Sequence, residues 1–286
     1  MRWAPMSRSV AAARRRRSWI TVALSLALLV TAAAVAAAHD MFLKPSRFFV
    51  TENSEVVVRL LNGTFTRSEN SIARSRLRDV SLVTPTRRVP IDTAEWSTTG
   101  DTSTFHIHTR GAGTYVLGVS TRPSFIELSA EDFNLYLRED GIPDVLETRR
   151  RDGELGKPAR ERYHKHVKAL VQVGEARSDH FSTVLGYPAE LVPLENPYAL
   201  RSGATLRVRT LVDGQPAANA YVIYGGTTAT DAAIEAKSVR SDVHGLATIT
   251  LSTAGTWYVK FIHMARMLGD TVDYESKWAS LTFQVR

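Results

Sequence analysis

The sequence predicts a mostly β protein: two immunoglobulin-like β-sandwich domains with a helical insertion between them. Three observations carry that prediction. Short β-branched runs with turn residues between them occupy residues 46–122 and return from about 188 to 286. The stretch between them changes to charged, helix-favouring sequence. A four-residue pattern, Ala112-Gly113-Thr114-Tyr115, recurs as Ala254-Gly255-Thr256-Trp257, and each copy opens an alternating strand, as two related units would.

Residues 1–38 read as an export signal. Arg14 to Arg17 supply the charged region and ITVALSLALLV the apolar core. TAAAVAAA supplies a small-residue end in which Ala36 and Ala38 fit the A-x-A cleavage rule. Cleavage after Ala38 leaves His39 first in a periplasmic protein. The alternative is an uncleaved anchor that tethers the protein, because Trp19 to Ala38 is long enough to span a bilayer with its arginines inside.

In the first domain, residues 39–122, the runs EVVVRLLN, LRDVSLVT, STFHIHT and GTYVLGVS read as strands. In the insertion, residues 123–187, Ser129 followed by Asp132 resembles a capping box before FNLYLRE. IPDVLETRRR and PARERYHKHVKALVQ also read as helices there, with Asp152-Gly153 and Gly156-Lys157-Pro158 as breaks. In the last domain, residues 188–286, TLRVRTLV, AYVIYGG, LATITLS, TWYVKFIH and KWASLTFQV read as strands. Asp213-Gly214 forms one turn and Asp242, His244 and Gly245 another.

Charge and composition exclude some functions. Six arginines and no acid precede residue 39, so the rest of the chain carries 30 basic against 29 acidic residues. The formal charge of +7 therefore belongs mostly to the leader, and no nucleic-acid-binding surface is indicated. The absence of cysteine removes thiolate ligands, disulfides and a lipoprotein anchor. No G-x-S-x-G, P-loop, G-x-G-x-x-G or H-E-x-x-H motif is present, which favours an exported binding protein over an enzyme.

The residues with metal chemistry are histidines near acids. His39-Asp40, at a new N-terminus, would offer an imidazole, an α-amine and a carboxylate, a set suited to nickel, copper, zinc or cobalt. In TWYVKFIH, Trp257, Val259, Phe261 and His263 share one strand face, which puts His263 at the rim of the core. If the chain returns as a hairpin through DYESKWASLTF, Asp273 and Glu275 fall beside His263 as a co-ligand or as a support for the imidazole. His106 and His108 form an outward-facing pair, ~6.5–7 Å apart along a strand. His164 and His166 carry less weight on a helix, where i and i+2 do not face each other. His244 reads as a turn residue, and His180 has only Asp179 beside it.

AHDMFLKPSRF after the signal, ERYHKHVKALVQVG, LGYPAELVPLENPYAL, LVDGQP, GTWYVKFIHM and YESKWASLTF follow one another in order. In these segments the chain resembles a bacterial family of unknown function whose members are often labelled periplasmic components of nickel or cobalt uptake systems. The resemblance covers essentially the whole mature chain. It implies two β-sandwich-like parts, the second similar to transthyretin-like or carboxypeptidase-regulatory-like modules. It also implies a metal-related role beside a membrane permease. The family's histidine-plus-acid start falls on His39 and Asp40, its strand-end histidine on His263, and its acid before the last strand on Glu275. Here the start is His-Asp where His-Glu or a His-rich run is usual, and the shorter side chain changes its reach.

The leading expectation is thus a periplasmic accessory protein that binds nickel or cobalt, with copper or zinc as competitors, through His39, Asp40, His263 and Glu275. One alternative is a non-catalytic β-sandwich interaction module. The other is a copper-binding histidine-brace redox protein built on His39.

Overall fold

Alternating apolar and polar residues build most of the elements in this chain. The computed structural model describes Met1 and residues 39–286, and the signal and anchor readings of the leader lie outside the described residues. The first half contributes β1 (Asp40–Pro45), β2 (Phe49–Val50), β3 (Glu55–Gly63), β4 (Leu77–Val83), β5 (Arg88–Pro90), β6 (Trp96–Thr99), β7 (Thr102–His108), β8 (Gly113–Thr121) and β9 (Ser124–Leu128). Two helices follow, α1 (Ala130–Glu139) and α2 (Pro143–Arg151), and then the long strand β10 (Ala159–Val173). The second half adds β11 (Ala189–Pro193), β12 (Thr205–Val212), β13 (Gln215–Pro216), β14 (Tyr221–Thr228), β15 (Ala233–Arg240), β16 (Leu246–Thr250), β17 (Gly255–Arg266) and β18 (Tyr274–Val285). The fold is mostly β, as the sequence predicts.

Residues 39–286 form one compact unit in which two cores flank a single large sheet. That sheet has ten strands: it runs β15-β14-β17-β18-β10-β8-β4-β5, with β2 and β9 also paired to β10. A smaller sheet, β1-β3-β7-β6, covers one face of it, and another, β11-β12-β13 with β16, covers the opposite face. Strand alternation explains how one sheet serves two cores. Val167, Ala169 and Val171 of β10 join Leu117 and Val119 of β8 against Val56, Val58, Leu60 and Phe105 of the first small sheet. Leu170 of β10 points the other way and joins Leu281, Phe283, Trp257 and Val259 against Leu206, Val208 and Ile249 of the second. Each fully buried Val, Leu, Ile or Phe among them contributes about 1.5–3 kcal/mol.

The middle segment corrects one expectation. FNLYLRE and IPDVLETRRR are helical, and the Ser129 hydroxyl accepts from the Asp132 backbone N–H at 3.1 Å, as a cap should. PARERYHKHVKALVQ is not a helix. It forms β10, which lies parallel to β18 on one side and antiparallel to β8 and β9 on the other. The first part of the strand, RERYHKH, is polar on both faces, and it hides the alternation that HVKALVQV keeps.

The repeated four-residue pattern corresponds to a repeated device. Tyr115 donates through its hydroxyl to the carbonyl of Gly111 at 2.8 Å, and Trp257 donates through its indole N–H to the carbonyl of Thr253 at 3.1 Å. Both partners lie four residues upstream, and each aromatic residue stands at the start of a central strand. The glycine before each has a positive φ, 148° at Gly113 and 158° at Gly255. At Gly255 a Cβ would meet the carbonyl oxygen of Thr227 at 2.3 Å.

Candidate functional site

The face of β10 that carries Leu170 also carries Arg162, His164 and His166, because side chains two apart on a strand point the same way. Register brings residues from β17 and β18 to the same face. His164 pairs with Lys277 of β18, and Lys277 pairs in turn with His263 of β17. Arg162 pairs with Glu275. The second small sheet ends short of this row, so the row forms the rim of its core.

His164 is buried, and its Nε2 has no hydrogen-bond partner. That atom faces Glu275 Oε1 at 3.8 Å, too far for a hydrogen bond. Glu275 Oε1 accepts from Arg162 Nε at 2.8 Å, and Arg162 Nη1 also reaches Asp270 at 3.1 Å. Lys277 Nζ lies 2.5 Å from Asp213 Oδ2 and 4.0 Å from Glu275 Oε2. Asp270, Glu275 and Asp213 thus pair with Arg162 and Lys277, and the charges that act on His164 balance, Glu275 and Asp213 against Lys277 and Arg162. Burial first, and then the neighbouring cations, hold His164 below its ordinary pKa, although Glu275 opposes them. His263, at the exposed mouth, is also lowered, by desolvation first and then by Lys277. Both rings are therefore neutral at neutral pH, the form that can donate a lone pair.

Behind His164 lies a second imidazole. His166 Nε2 is 3.3 Å from His164 Nδ1, and His166 Nδ1 is 2.9 Å from Ser120 Oγ. Burial first and then His164 drive the pKa of His166 down to about 3. The ring of Tyr187 flanks His166 with centroids 5.7 Å apart, and its hydroxyl is held by Asp79, which also accepts from Arg88 at 2.9 Å.

His39 and Asp40 occupy the other face of the same sheet. His39 Nε2 sits 3.1 Å from Glu69 Oε2, and its carbonyl oxygen accepts from Lys165 Nζ. Asp40 Oδ2 accepts from Lys260 Nζ at 2.5 Å. Asp140, at the end of α1, lies 4.0 Å from Lys260, and desolvation raises its pKa to about 7 against the pull of that ammonium. Glu161 Oε1 accepts from the Tyr136 hydroxyl at 3.0 Å and from Ser276 Oγ. Lys165, lowered by burial to about 8, lies over the Trp278 ring at 4.8 Å. Asp40, Lys165, Lys260 and Trp278 line a cavity of about 10 Å³, room for about one water.

The sequence-predicted ligands therefore fall into two pairs. His263 and Glu275 share a face, whereas His39 and Asp40 lie behind the sheet. Register places Ala265, not His263, opposite Glu275, two residues from the offset that the hairpin argument gives. Asp273 turns to β10 and accepts from the Arg160 backbone N–H at 2.8 Å. His106 and His108 both face outward as expected, with His106 against Glu55 and His108 3.8 Å from Glu95. His244 is the turn residue expected, with its N–H donating to Asp242 at 2.8 Å. His164 and His166 are the residues that the helical reading set aside. The alternation H-V-K-A-L-V-Q-V, polar at most even positions and apolar at the odd ones, was the available signal. Among the described residues, no three His, Asp or Glu side chains converge closely enough to hold a metal ion as they stand. No described helix is long and apolar enough to cross a membrane.

Two solved structures show a distant likeness. A DUF4785 family protein from Legionella pneumophila subsp. pneumophila strain Philadelphia 1 is 10% identical with a TM-score of 0.24, over 77% of this chain and 50% of that one. FdeC, an Escherichia coli adhesin, is 14% identical with a TM-score of 0.23, over 87% of this chain and 63% of that one. The chain thus spans about half of the first and less than two thirds of the second, and scores this low carry no argument. No curated protein matches the chain. Residues 36–265 match the family described as Domain of unknown function (DUF4198), and the chain belongs to that family.

Proposed function

We propose that the protein is an exported, periplasmic metal-binding accessory protein that holds a divalent transition-metal ion on the His164–Glu275–His263 face. It would supply nickel or cobalt to a membrane permease. One observation carries the reading: a buried imidazole nitrogen with no partner faces a carboxylate oxygen across 3.8 Å. A lone pair and a carboxylate held apart in this way are the donor types that nickel, cobalt, zinc and copper accept.

His164 and Glu275 would be the preformed ligands. His263 would complete the set by rotating inward from its exposed position, with Lys277 moving toward Asp213. His39 and Asp40 belong to the opposite face in this reading, and their part is to dock the start of the chain. Affinity order ranks copper above nickel, cobalt and zinc, so the cargo is set by supply rather than by these ligands alone. The C-terminal sandwich would correspond to the transthyretin-like module that the family resemblance implies.

The test is equilibrium dialysis of the purified protein against Ni²⁺, Co²⁺, Zn²⁺ and Cu²⁺ in turn. One equivalent bound by the wild type, and lost by at least tenfold in affinity in His164→Ala and Glu275→Gln, is the expected result. Equal binding by all three proteins would place the ion elsewhere, and no binding by any would favour the interaction-module reading.

A further inference from the structure

We propose that a separate cleft, at one end of the core between the ten-stranded sheet and the β1-β3-β7-β6 sheet, binds a small organic carboxylate. Arg87 and Arg110 would hold the anionic head, and Leu82, Val89 and Tyr115 would seat an apolar body. None of these residues belongs to the His164 face.

The cleft has a volume of about 530 Å³. Small-molecule sites occupy about 300–1,000 Å³ and combine an apolar lining with a few polar groups that fix orientation. Here the floor is the end of a core. Leu82 and Tyr115 are buried members of it, and Val89, from the edge strand β5, packs against it. Two loops make the walls. The turn between β4 and β5 carries Pro85 and Arg87, and the loop from His108 at the end of β7 to β8 carries Arg110. The loops approach each other at Gly113, where a Cβ would meet Pro85 Cγ at 2.4 Å.

Both arginines stand on fixed backbone. In the turn, the Thr84 N–H donates to the Arg87 carbonyl at 2.9 Å, and the Arg87 N–H donates to Thr84 Oγ1 at 3.2 Å. In the other loop, the Arg110 N–H donates to the Tyr115 hydroxyl at 3.2 Å, and that hydroxyl donates to the Gly111 carbonyl. The guanidinium groups themselves are exposed, and among the described residues neither has a carboxylate partner. Arg88, the next residue after Arg87, differs: it pairs with Asp79 at 2.9 Å. No acid lines the cleft, and Glu95 approaches the lining at His108, at 3.8 Å.

Folding does not require the Arg110 side chain. In the second copy of the strand-opening pattern, Ser252 stands in its place, and Trp257 still donates to the Thr253 carbonyl. What the two arginines add is chemistry. Cations gathered at one concave surface concentrate anions there. A guanidinium offers a carboxylate two parallel N–H donors. The floor selects among anions, because covering Leu82, Val89 and Tyr115 with hydrocarbon is favourable and an inorganic anion cannot do it.

The test is calorimetric titration of the protein with 2-naphthoate, its neutral analogue 2-naphthamide, and inorganic phosphate. The expected result is one equivalent of 2-naphthoate bound with a Kd below about 1 mM. The amide and phosphate should each bind at least tenfold more weakly. Arg87→Gln combined with Arg110→Ser should weaken 2-naphthoate binding at least tenfold and leave the melting temperature unchanged, since both side chains are exposed. No binding of 2-naphthoate by the wild type would overturn the proposal. Equal binding by the double variant, or of the amide, would show that the arginines do not read the charge and would also overturn it. Phosphate bound as tightly as 2-naphthoate would overturn the role of the apolar floor.

Discussion

At the scale of single residues, His164 combines a structural cost with a chemical opportunity. A buried nitrogen with no partner costs about 1–3 kcal/mol. His164→Phe removes that unsatisfied atom while filling similar space, but it leaves His166 Nε2 without its partner, so the two effects largely offset. Its expected effect on urea stability is under about 1 kcal/mol, with metal binding lost. A stability loss several times larger would make His164 a structural residue instead. Binding should also depend on pH. Because the folded protein holds His164 and His263 below the ordinary histidine value, ligation should persist to pH values below ~6.5 and fail as these rings finally protonate. Titration of bound Ni²⁺ between pH 8 and pH 4 checks this, and an affinity unchanged at pH 4 would contradict histidine ligation. Across the sheet, Asp140 has a folded pKa near 7 against an ordinary value of 3.8. The folded state therefore binds more protons than the unfolded state between those values, and this group's contribution to stability falls as pH rises through that window. Asp140→Asn, which stays neutral, should stabilise the protein at pH 8 and change little at pH 4, as denaturation at the two pH values would show. The shared face of His263 and Glu275 was legible in the sequence because strand alternation and a hairpin return are local patterns. His164 was not, because its face depends on whether β10 is a helix or a strand.

At the scale of elements, the misread strand shows what sequence periodicity leaves open. β4, β7, β8, β12 and β17 each have a face that alternates cleanly or a β-branched run, and they fall where the sequence places them. β10 carries Arg160, Glu161, Arg162, Lys165 and Lys168, whose partners come from other elements. Lys168 shows how such a charge is accommodated. It is buried against Glu190 of β11 at 3.1 Å and also donates to the Thr183 carbonyl at 3.0 Å. Glu190 in turn accepts from the backbone N–H groups of Leu185 and Tyr187. Breaking one side of a buried pair costs about 3–5 kcal/mol. Lys168→Met should fall at the lower end of that range and Glu190→Leu at the upper end, because the second also strands two backbone donors. Chemical denaturation of the two variants gives the comparison, and equal small losses would mean that the pair is not structurally required. Gly255→Ala is expected to cost about 2–4 kcal/mol through the positive φ and the Thr227 carbonyl. A melting temperature unchanged by that substitution would count against the repeated strand-opening device.

At the scale of the whole molecule, the sequence predicts two sandwich domains, whereas residues 39–286 form one compact unit around a large sheet. The pattern repeated at Gly113 and Gly255 is local and therefore visible. The pairing of β10 with β18 joins residues more than a hundred positions apart, with Arg162 opposite Glu275, and no local pattern reports it. The shared sheet has a consequence for fragments. Residues 39–122 alone would lose β10 as a partner for β8, and residues 188–286 alone would lose it as a partner for β18, exposing a long strand edge in each. Neither fragment should give a cooperative unfolding transition by circular dichroism, whereas 39–286 should. The shared sheet also explains the placement of chemistry. Consecutive residues His164, Lys165 and His166 send imidazoles to one face and an ammonium to the other, which puts the candidate metal face directly behind the docked His39-Asp40 segment. The most direct test is crystallographic: anomalous scattering at the nickel edge from crystals of the protein grown with Ni²⁺. A single strong peak between His164 Nε2 and Glu275 Oε1, with His263 turned toward it, is the predicted result. A peak at His39 and Asp40, or none on the His164 face at full nickel occupancy elsewhere, would contradict it.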